Sequence, residues 1–160
     1  MRKYIIESLL IIFILFIQML FNFYMGIWEL KPDFLLIFII SISLSVEIKK
    51  SLILGAFTGF FEDLFSGGIL GLFLLSKVTL AYVLSYIKDS LKGEYLTLLI
   101  PIIVFLGSLS VYEIELIFAR ILHIGSYNHL FIIKLSFINF LFSPISYIFI
   151  KLIRKIEEEK

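Results

Sequence analysis

Long apolar stretches, separated by short polar ones, constrain the fold of this chain more than any other feature. Hydrophobic residues make up 61% of its 160 residues and the mean hydropathy is +1.07, whereas a soluble domain is about 45–50% apolar. Only lipid can solvate an excess of this size. The sequence therefore predicts an all-α integral membrane bundle that forms a single domain over residues 1–160. Its six predicted transmembrane helices are Tyr4–Phe23, Phe34–Val46, Ser51–Phe65, Ile69–Ile87, Tyr95–Leu122 and Leu130–Ile153.

Positive charges are distributed unequally over the two sides of the predicted bundle. Six helices place both termini on one side, and most of the lysines and arginines fall there. The other side has Lys31, with Arg120 and Lys134 at helix ends. Because an excess of positive charge marks the cytoplasmic side, both termini are predicted to lie in the cytoplasm. The residues on that side are Arg2, Lys3, Lys49, Lys50, Lys88, Lys92, Lys151, Arg154, Lys155 and Lys160.

The second and third predicted helices are short for a membrane span. Phe34–Val46 would be about 20 Å long, against a bilayer core of about 30 Å, unless flanking residues extend it. These two helices would alternatively form a re-entrant hairpin, which leaves the side of each terminus unchanged. The hairpin would place Lys49 and Lys50 near the middle of the bilayer, where a charge is costly. Six spans are therefore the favoured interpretation.

A glycine-rich segment with two adjacent carboxylates surrounds the break between the third and fourth predicted helices. Small residues four apart allow another backbone to approach closely, either within this bundle or in a groove that binds a partner. Glu62 and Asp63 would each cost about 2.5 kcal/mol or more at the bilayer centre. They would lie hydrated at an interface, or Asp63 would cap the following turn or pair with a buried cation. The glycines, at spacings of four, eight and four residues, are Gly55, Gly59, Gly67 and Gly71.

Pro32 and Asp33 directly precede the second predicted helix. The missing N–H of proline costs nothing in a first helical turn, and a carboxylate is favourable at the positive end of the helix dipole. Helix initiation is therefore the simplest interpretation of this pair, ahead of a role in binding a partner.

Two motifs occur in order along the second, third and fourth predicted helices: Lys31-Pro32-Asp33, then Gly59-x-x-x-Asp63-x-x-Ser66-Gly67-x-x-x-Gly71. Together with the length and the six-helix topology, these motifs resemble the MreD family of bacterial rod shape-determining proteins. The resemblance in length and topology covers essentially the whole chain, and the motifs cover about forty residues of it. Glu62 beside Asp63 departs from the family pattern, which more often has an apolar residue there.

The resemblance implies a non-catalytic membrane subunit of the machinery that elongates the lateral cell wall. It implies a single-span partner, MreC, and through it the MreB filament and a wall-synthesising glycosyltransferase–transpeptidase pair. The implied location is the lipid bilayer of the bacterial cytoplasmic membrane. The implied fold is similar to that of the substrate-binding subunits of energy-coupling-factor vitamin transporters. We expect neither a cofactor nor a nucleic-acid partner.

Lys77 lies within the fourth predicted helix, at a depth where snorkelling relieves only part of the cost of its charge. Two interpretations carry equal weight: a snorkelling lysine that faces lipid, and an interior lysine that a carboxylate neutralises. For the second, Asp63 or Glu62 on the preceding helix is the expected counter-charge, with Glu113 as a further candidate. We predict the interior position, with a mainly structural effect and a polar pocket as its by-product.

Enzymatic interpretations lack the groups that they need. The chain has no cysteine, which excludes disulfides, thiolate metal sites and cysteine nucleophiles. Ser66 would need a histidine at membrane depth to activate it. His123 and His129 instead fall in a predicted outer loop without an acidic or cysteine companion, so no metal site is expected. Ser76 and its neighbour point about 100° apart on a helix and cannot form a serine–lysine dyad.

Two function classes remain open. The first is an assembly scaffold whose helix faces contact other membrane proteins. The second is a small-molecule-binding subunit of a vitamin-type transporter, which needs an outward-facing cavity with polar and aromatic walls. The residues available for such a cavity are Glu62, Asp63, Glu113, Glu115, Arg120, His123 and Tyr127.

Overall fold

The chain folds into a bundle of helices in the computed structural model, which describes residues 2–24, 30–66, 69–91, 96–123 and 128–158. The described residues contain α-helices and one short 3₁₀ turn at Lys88–Leu91, and no strand. The all-helical prediction is therefore confirmed for this part of the chain. The helices are α1 (Arg2–Tyr24), α2 (Phe34–Ser43), α3 (Ile48–Ser66), α4 (Leu72–Ile87), α5 (Leu96–Ile121), α6 (His129–Phe142) and α7 (Pro144–Glu158).

Helix α2 is the centre of the bundle. All ten of its residues are buried, and it packs against α1, α3, α4, α5 and α7. A helix that is apolar all round is a helix enclosed by others, and α2 meets this description. Its length of about 15 Å is shorter than the length of about 20 Å predicted for Phe34–Val46. Because other helices surround it, a short α2 does not leave polar backbone groups facing lipid.

The buried apolar side chains form two groups on opposite flanks of α2. Leu36, Ile37 and Ile40 belong to the group that continues into α4 and α5. Phe34 and Phe38 belong to the group that continues into α1 and α7. Side chains of α2 therefore take part in both halves of the core, which explains why its sequence shows no polar face.

The last predicted helix is two helices in the structure. α6 and α7 meet at an angle of 55° across Ser143, and Pro144 is the first residue of α7. Proline lacks the N–H that continues an α-helix, but it suits the first position of a new one. The prediction of one helix over Leu130–Ile153 is therefore wrong, because the structure has two helices that meet at Pro144.

The described helices differ in how well they suit a membrane span. By length and hydropathy, Leu98–Ile121 of α5 is sufficient alone, and α6 with α7 qualifies as a bent pair. The apolar stretch Leu9–Phe21 within α1 and the helix Phe34–Ser43 are each shorter than a full span. The six-span topology thus remains a prediction, as does the likeness to transporter subunits.

Candidate functional site

Helices α3 and α4 touch backbone to backbone at Gly59. A Cβ atom at Gly59 would lie 2.5 Å from the Cα of Leu74 and 2.7 Å from the carbonyl oxygen of Phe73. At Gly55 a Cβ atom would lie 3.2 Å from the Cβ of Ala81, also on α4. These two glycines therefore let α3 and α4 approach each other closely, which is the packing interpretation of the glycine spacing.

Gly71 and Asp63 together begin α4. Gly71 is the N-cap with a φ of +94°, a left-handed conformation that favours glycine, and it has no side chain to cap the helix. Asp63 of α3 supplies the missing acceptor: its carboxylate receives the N–H groups of Phe73 (3.0 Å) and Leu74 (3.1 Å). An N-cap side chain normally satisfies these second and third donors. Gly67 lies outside the described residues.

Asp63 therefore occupies a different environment from the hydrated interface considered from the sequence. Its exposed fraction is 2%, and the N-terminus of α4 compensates its burial through two hydrogen bonds. A carboxylate at a helix N-terminus also gains from the helix dipole. The role of Asp63 is thus to join α3 to the start of α4.

Lys77 is buried completely within the bundle, with an exposed fraction of 0%. Its Nζ forms a salt bridge with the carboxylate of Glu62 on α3. The Oδ2 atom of Asp33 lies 3.9 Å from the same Nζ, and the ring centroid of Phe73 lies at 5.8 Å. The interior position and the pairing with Glu62 agree with the sequence-based prediction, whereas Asp33 is a neighbour that the prediction did not include.

Asp33 initiates α2, as the sequence predicts. Its Oδ1 accepts the N–H of Leu36 at 2.9 Å. Its own N–H donates to Oδ1 of Asn139 at 2.8 Å. Pro32 lies one position before this N-cap rather than in the first turn, and its carbonyl oxygen accepts a hydrogen bond from Nε2 of Gln18 at 3.2 Å. The entry to α2 is thus fixed by side chains from both α1 and α6.

Asn139 is a buried polar residue that the sequence analysis missed. Its Nδ2 donates to Oγ of Ser108 and to the hydroxyl of Tyr112, each at 3.0 Å, and its Oδ1 holds the backbone of Asp33. One amide thereby connects α6, α5 and the start of α2. The signal in the sequence is a carboxamide inside an apolar stretch, and Gln18 of α1 gives the same signal.

Glu115 lies beside a cavity between α4, α5 and α6. Its Oε1 accepts a hydrogen bond from Oγ of Ser76 at 3.1 Å, and it interacts electrostatically with Lys77 and Asp33. The cavity has a volume of about 300 Å³ and is mostly apolar. The residues that line it are Leu72, Phe73, Tyr112, Glu115, Leu116, Ala119, Phe131, Ile132 and Leu135.

A second polar group lies at the junction of α5 and α6. Oε1 of Glu113 is 2.9 Å from Nδ1 of His129, and Nη2 of Arg120 is 3.2 Å from Nε2 of the same ring. The expectation that both histidines lack an acidic companion is therefore wrong for His129, and Glu113 is not the partner of the buried lysine. His123 is exposed with a φ of +55°, and Tyr127 lies outside the described residues.

Five ionisable residues gather where α2, α3, α4 and α5 meet, and we call them the charged cluster: Asp33, Glu62, Asp63, Lys77 and Glu115. The cluster has one cation against four carboxylates, and two of the carboxylates face helix N-termini. It can join four helices and present a carboxylate to the cavity. No group of three or more His, Cys, Asp or Glu residues in the described ranges is placed to hold a metal ion.

The comparisons with known proteins give a family match. The family model described as rod shape-determining protein MreD matches residues 1–156, which is nearly all of the 160-residue chain. No curated protein and no solved structure matches the chain. The match covers every helix described above except the last two residues of α7, and it includes the charged cluster and the cavity. The chain therefore belongs to the MreD family of rod shape-determining proteins.

Proposed function

We propose that this protein is a non-catalytic scaffold subunit of the rod-shape machinery that binds a single-span, MreC-like membrane protein through its helix faces. Through that partner it would connect to the MreB filament and to the glycosyltransferase–transpeptidase pair of wall synthesis. The observation that carries the proposal is the family match over residues 1–156. Membership of the family by itself identifies a bacterial membrane protein with a role in determining rod shape.

The proposed topology has six spans, with α6 and α7 as the two parts of the last one and both termini in the cytoplasm. The charge bias supports this orientation. The enclosed position of α2 supports the number of spans, because a helix that other helices surround does not need to match the bilayer thickness.

The outward faces of the helices support binding through lipid-facing surfaces. Large apolar side chains are exposed on α1, α3, α5 and α6, as on Phe13, Phe60, Leu106 and Phe137. In lipid, such surfaces associate through van der Waals packing and close fit. Because Gly55 and Gly59 already pack against α4, the partner is expected on these outward faces rather than on the glycine face.

Co-purification tests the proposal directly. The tagged protein, extracted in a mild non-ionic detergent from its host, is expected to recover a protein with one N-terminal span and a periplasmic β domain. An adjacent reading frame of that description would point the same way. Replacing exposed Phe60 with Ala should reduce recovery if α3 is the face used, whereas a folded Gly55→Ala variant should retain the partner. Recovery of no single-span protein under any mild condition would count against the scaffold.

The cavity of about 300 Å³ beside Glu115 favours a second candidate function, a small-molecule-binding subunit of a vitamin-type transporter. Its size falls at the lower end of ligand pockets, about 300–1,000 Å³. A ligand screen on the purified protein separates the two functions. Saturable binding of a vitamin, with no single-span partner recovered, would favour the transporter subunit.

A further inference from the structure

The cavity beside Glu115 is large enough for a ligand group. An engineered apolar cavity of about 150 Å³ already holds benzene, and this one has about 300 Å³ between α4, α5 and α6. Its walls are apolar apart from Glu115 and Tyr112. A hydrocarbon chain of about six carbons therefore fits the cavity, and the carboxylate of Glu115 forms part of its lining.

Three of the four carboxylates in the charged cluster are already compensated. Glu62 pairs with Lys77. Asp63 receives two N–H groups of α4, and Asp33 receives one of α2 and lies close to Lys77. Each of these contacts lowers the cost of keeping a negative charge away from water.

Glu115 differs from the other three. It accepts one hydrogen bond, from Ser76. It interacts electrostatically with Lys77 but forms no salt bridge with any residue in the described part of the chain. The single lysine of the cluster is engaged by Glu62. Glu115 is thus the carboxylate that lines a cavity and has only a neutral hydroxyl as its hydrogen-bond donor.

We propose that this cavity binds the cationic end of an apolar chain, an ammonium or guanidinium group, with Glu115 as its counter-charge. The apolar walls receive the hydrocarbon part, and the carboxylate accepts charge-assisted hydrogen bonds from the cation. The cation would come either from a membrane amphiphile with an amine or from a lysine or arginine on a partner's membrane helix. The proposal does not depend on the scaffold function.

Thermal unfolding of the purified full chain in a non-ionic detergent tests the site with hexylammonium as the probe. Hexylammonium should raise the Tm saturably, hexanol should bind about tenfold or more weakly, and hexanoate should not raise the Tm. Removing a charged hydrogen-bond partner has an effect of this size. Equal effects of hexylammonium and hexanol would overturn the proposal.

Variants locate the site. Glu115→Gln should weaken hexylammonium binding about tenfold or more. Glu113→Gln, on the same helix but facing His129, should leave it unchanged. Ala119→Phe keeps the Glu115 carboxylate but fills the cavity, so it should abolish hexylammonium binding. This variant tests the site independently if Glu115→Gln fails to fold. Unchanged affinity in either a folded Glu115→Gln or a folded Ala119→Phe variant would overturn the proposal.

The source of the natural cation is a separate arm of the experiment. Native mass spectrometry of the protein as purified should show a bound amine if a membrane amphiphile is the source. If a partner's basic side chain is the source, hexylammonium and Glu115→Gln should both release the co-purified partner. Either result supports the site. The absence of a bound amine, of a released partner and of hexylammonium binding would together contradict the site.

Discussion

At the scale of single residues, Lys77 shows how this protein keeps a charge inside an apolar bundle. The side chain is fully buried, Glu62 pairs with it, and Asp33 lies 3.9 Å from its Nζ. Both carboxylates come from elements that pack against α4, so the pairs also hold α2 and α3 in place relative to α4. The ion pair is therefore part of the tertiary structure and not only a neutralised charge.

Removing the lysine alone should destabilise the protein. Lys77→Met leaves Glu62 without its cation, and breaking a buried pair from one side costs about 3 kcal/mol or more. Thermal unfolding in detergent measures the loss. Adding Glu62→Gln should recover part of it, because a missing pair costs less than an uncompensated charge. Lys134→Met, at an exposed position on α6, is the matched control. Full tolerance of Lys77→Met would contradict the structural role.

The two α3 glycines should respond unequally to the same change. Gly59→Ala places a Cβ 2.5 Å from the Cα of Leu74, and backbone cannot move aside as a flexible side chain does. Overpacking costs about 1–3 kcal/mol, and we expect the upper end. Gly55→Ala meets a side-chain methyl at 3.2 Å and should cost much less. Equal unfolding temperatures for the two variants would show that α3 and α4 are further apart than described.

Some of these residue roles follow from the sequence, and others need the fold. A lysine in an apolar helix requires a counter-charge, and carboxylates on the preceding helix are close in space. Pairing of Lys77 with Glu62 or Asp63 is therefore predictable, but the choice of Glu62 needs the fold. The role of Asp63 as an acceptor is not predictable, because it depends on α3 and α4 folding back on each other beside Gly71. The role of Asn139 is not predictable either, since its three hydrogen-bond partners come from the start of α2 and from α5.

At the scale of helices, α4 begins without a capping side chain of its own. Gly71 gives the turn its left-handed conformation, and Asp63 reaches across from α3 to the second and third N–H groups. Two functions that one N-cap residue usually combines, backbone geometry and side-chain acceptor, are thus divided between two helices. This division couples the formation of α4 to its packing on α3.

Substituting Asp63 should therefore loosen the start of α4. Asp63→Ala leaves two partly buried N–H groups without their acceptor, and loss of a cap costs about 2 kcal/mol. Hydrogen exchange should rise at the amides of Phe73 and Leu74 while the middle of the helix stays protected. Asp63→Asn keeps one oxygen acceptor and should lose less. An unchanged exchange rate at these two amides in Asp63→Ala would argue against the cap.

The bounds of the helices were predictable where local chemistry decides them. Asp33 begins α2 and Pro144 marks the bend between α6 and α7, and both signals are visible in the sequence. The prediction of one helix over Leu130–Ile153 gave hydropathy too much weight and proline too little. The early end of α2 at Ser43 was not predictable from hydropathy, because Leu44 and Val46, which follow it, are also apolar and buried.

At the scale of the whole molecule, the proposed six-span topology predicts that both termini lie in the cytoplasm. Reporter fusions after Lys92 and Lys160 should therefore report the cytoplasm, and a fusion near Ser126 should report the exterior. These three positions lie outside the described residues, so the expectation rests on the distribution of lysines and arginines. A periplasmic signal at residue 92 would contradict the six-span topology.

Family membership over residues 1–156 assigns the protein to rod shape determination. The charged cluster holds the inner helices together, and the outer faces are apolar and free to contact other membrane helices in the described structure. The central claim is that these faces assemble the wall-elongation machinery.

Depletion of the protein in its rod-shaped host, followed by microscopy with a fluorescent label for new cell wall, tests this claim most directly. The account predicts that the cells become round and that wall synthesis loses its localisation along the cell side. Expression of the wild-type chain should restore both. Cells that keep their rod shape and their wall pattern, but lose uptake of a vitamin, would contradict the scaffold and support the transporter subunit.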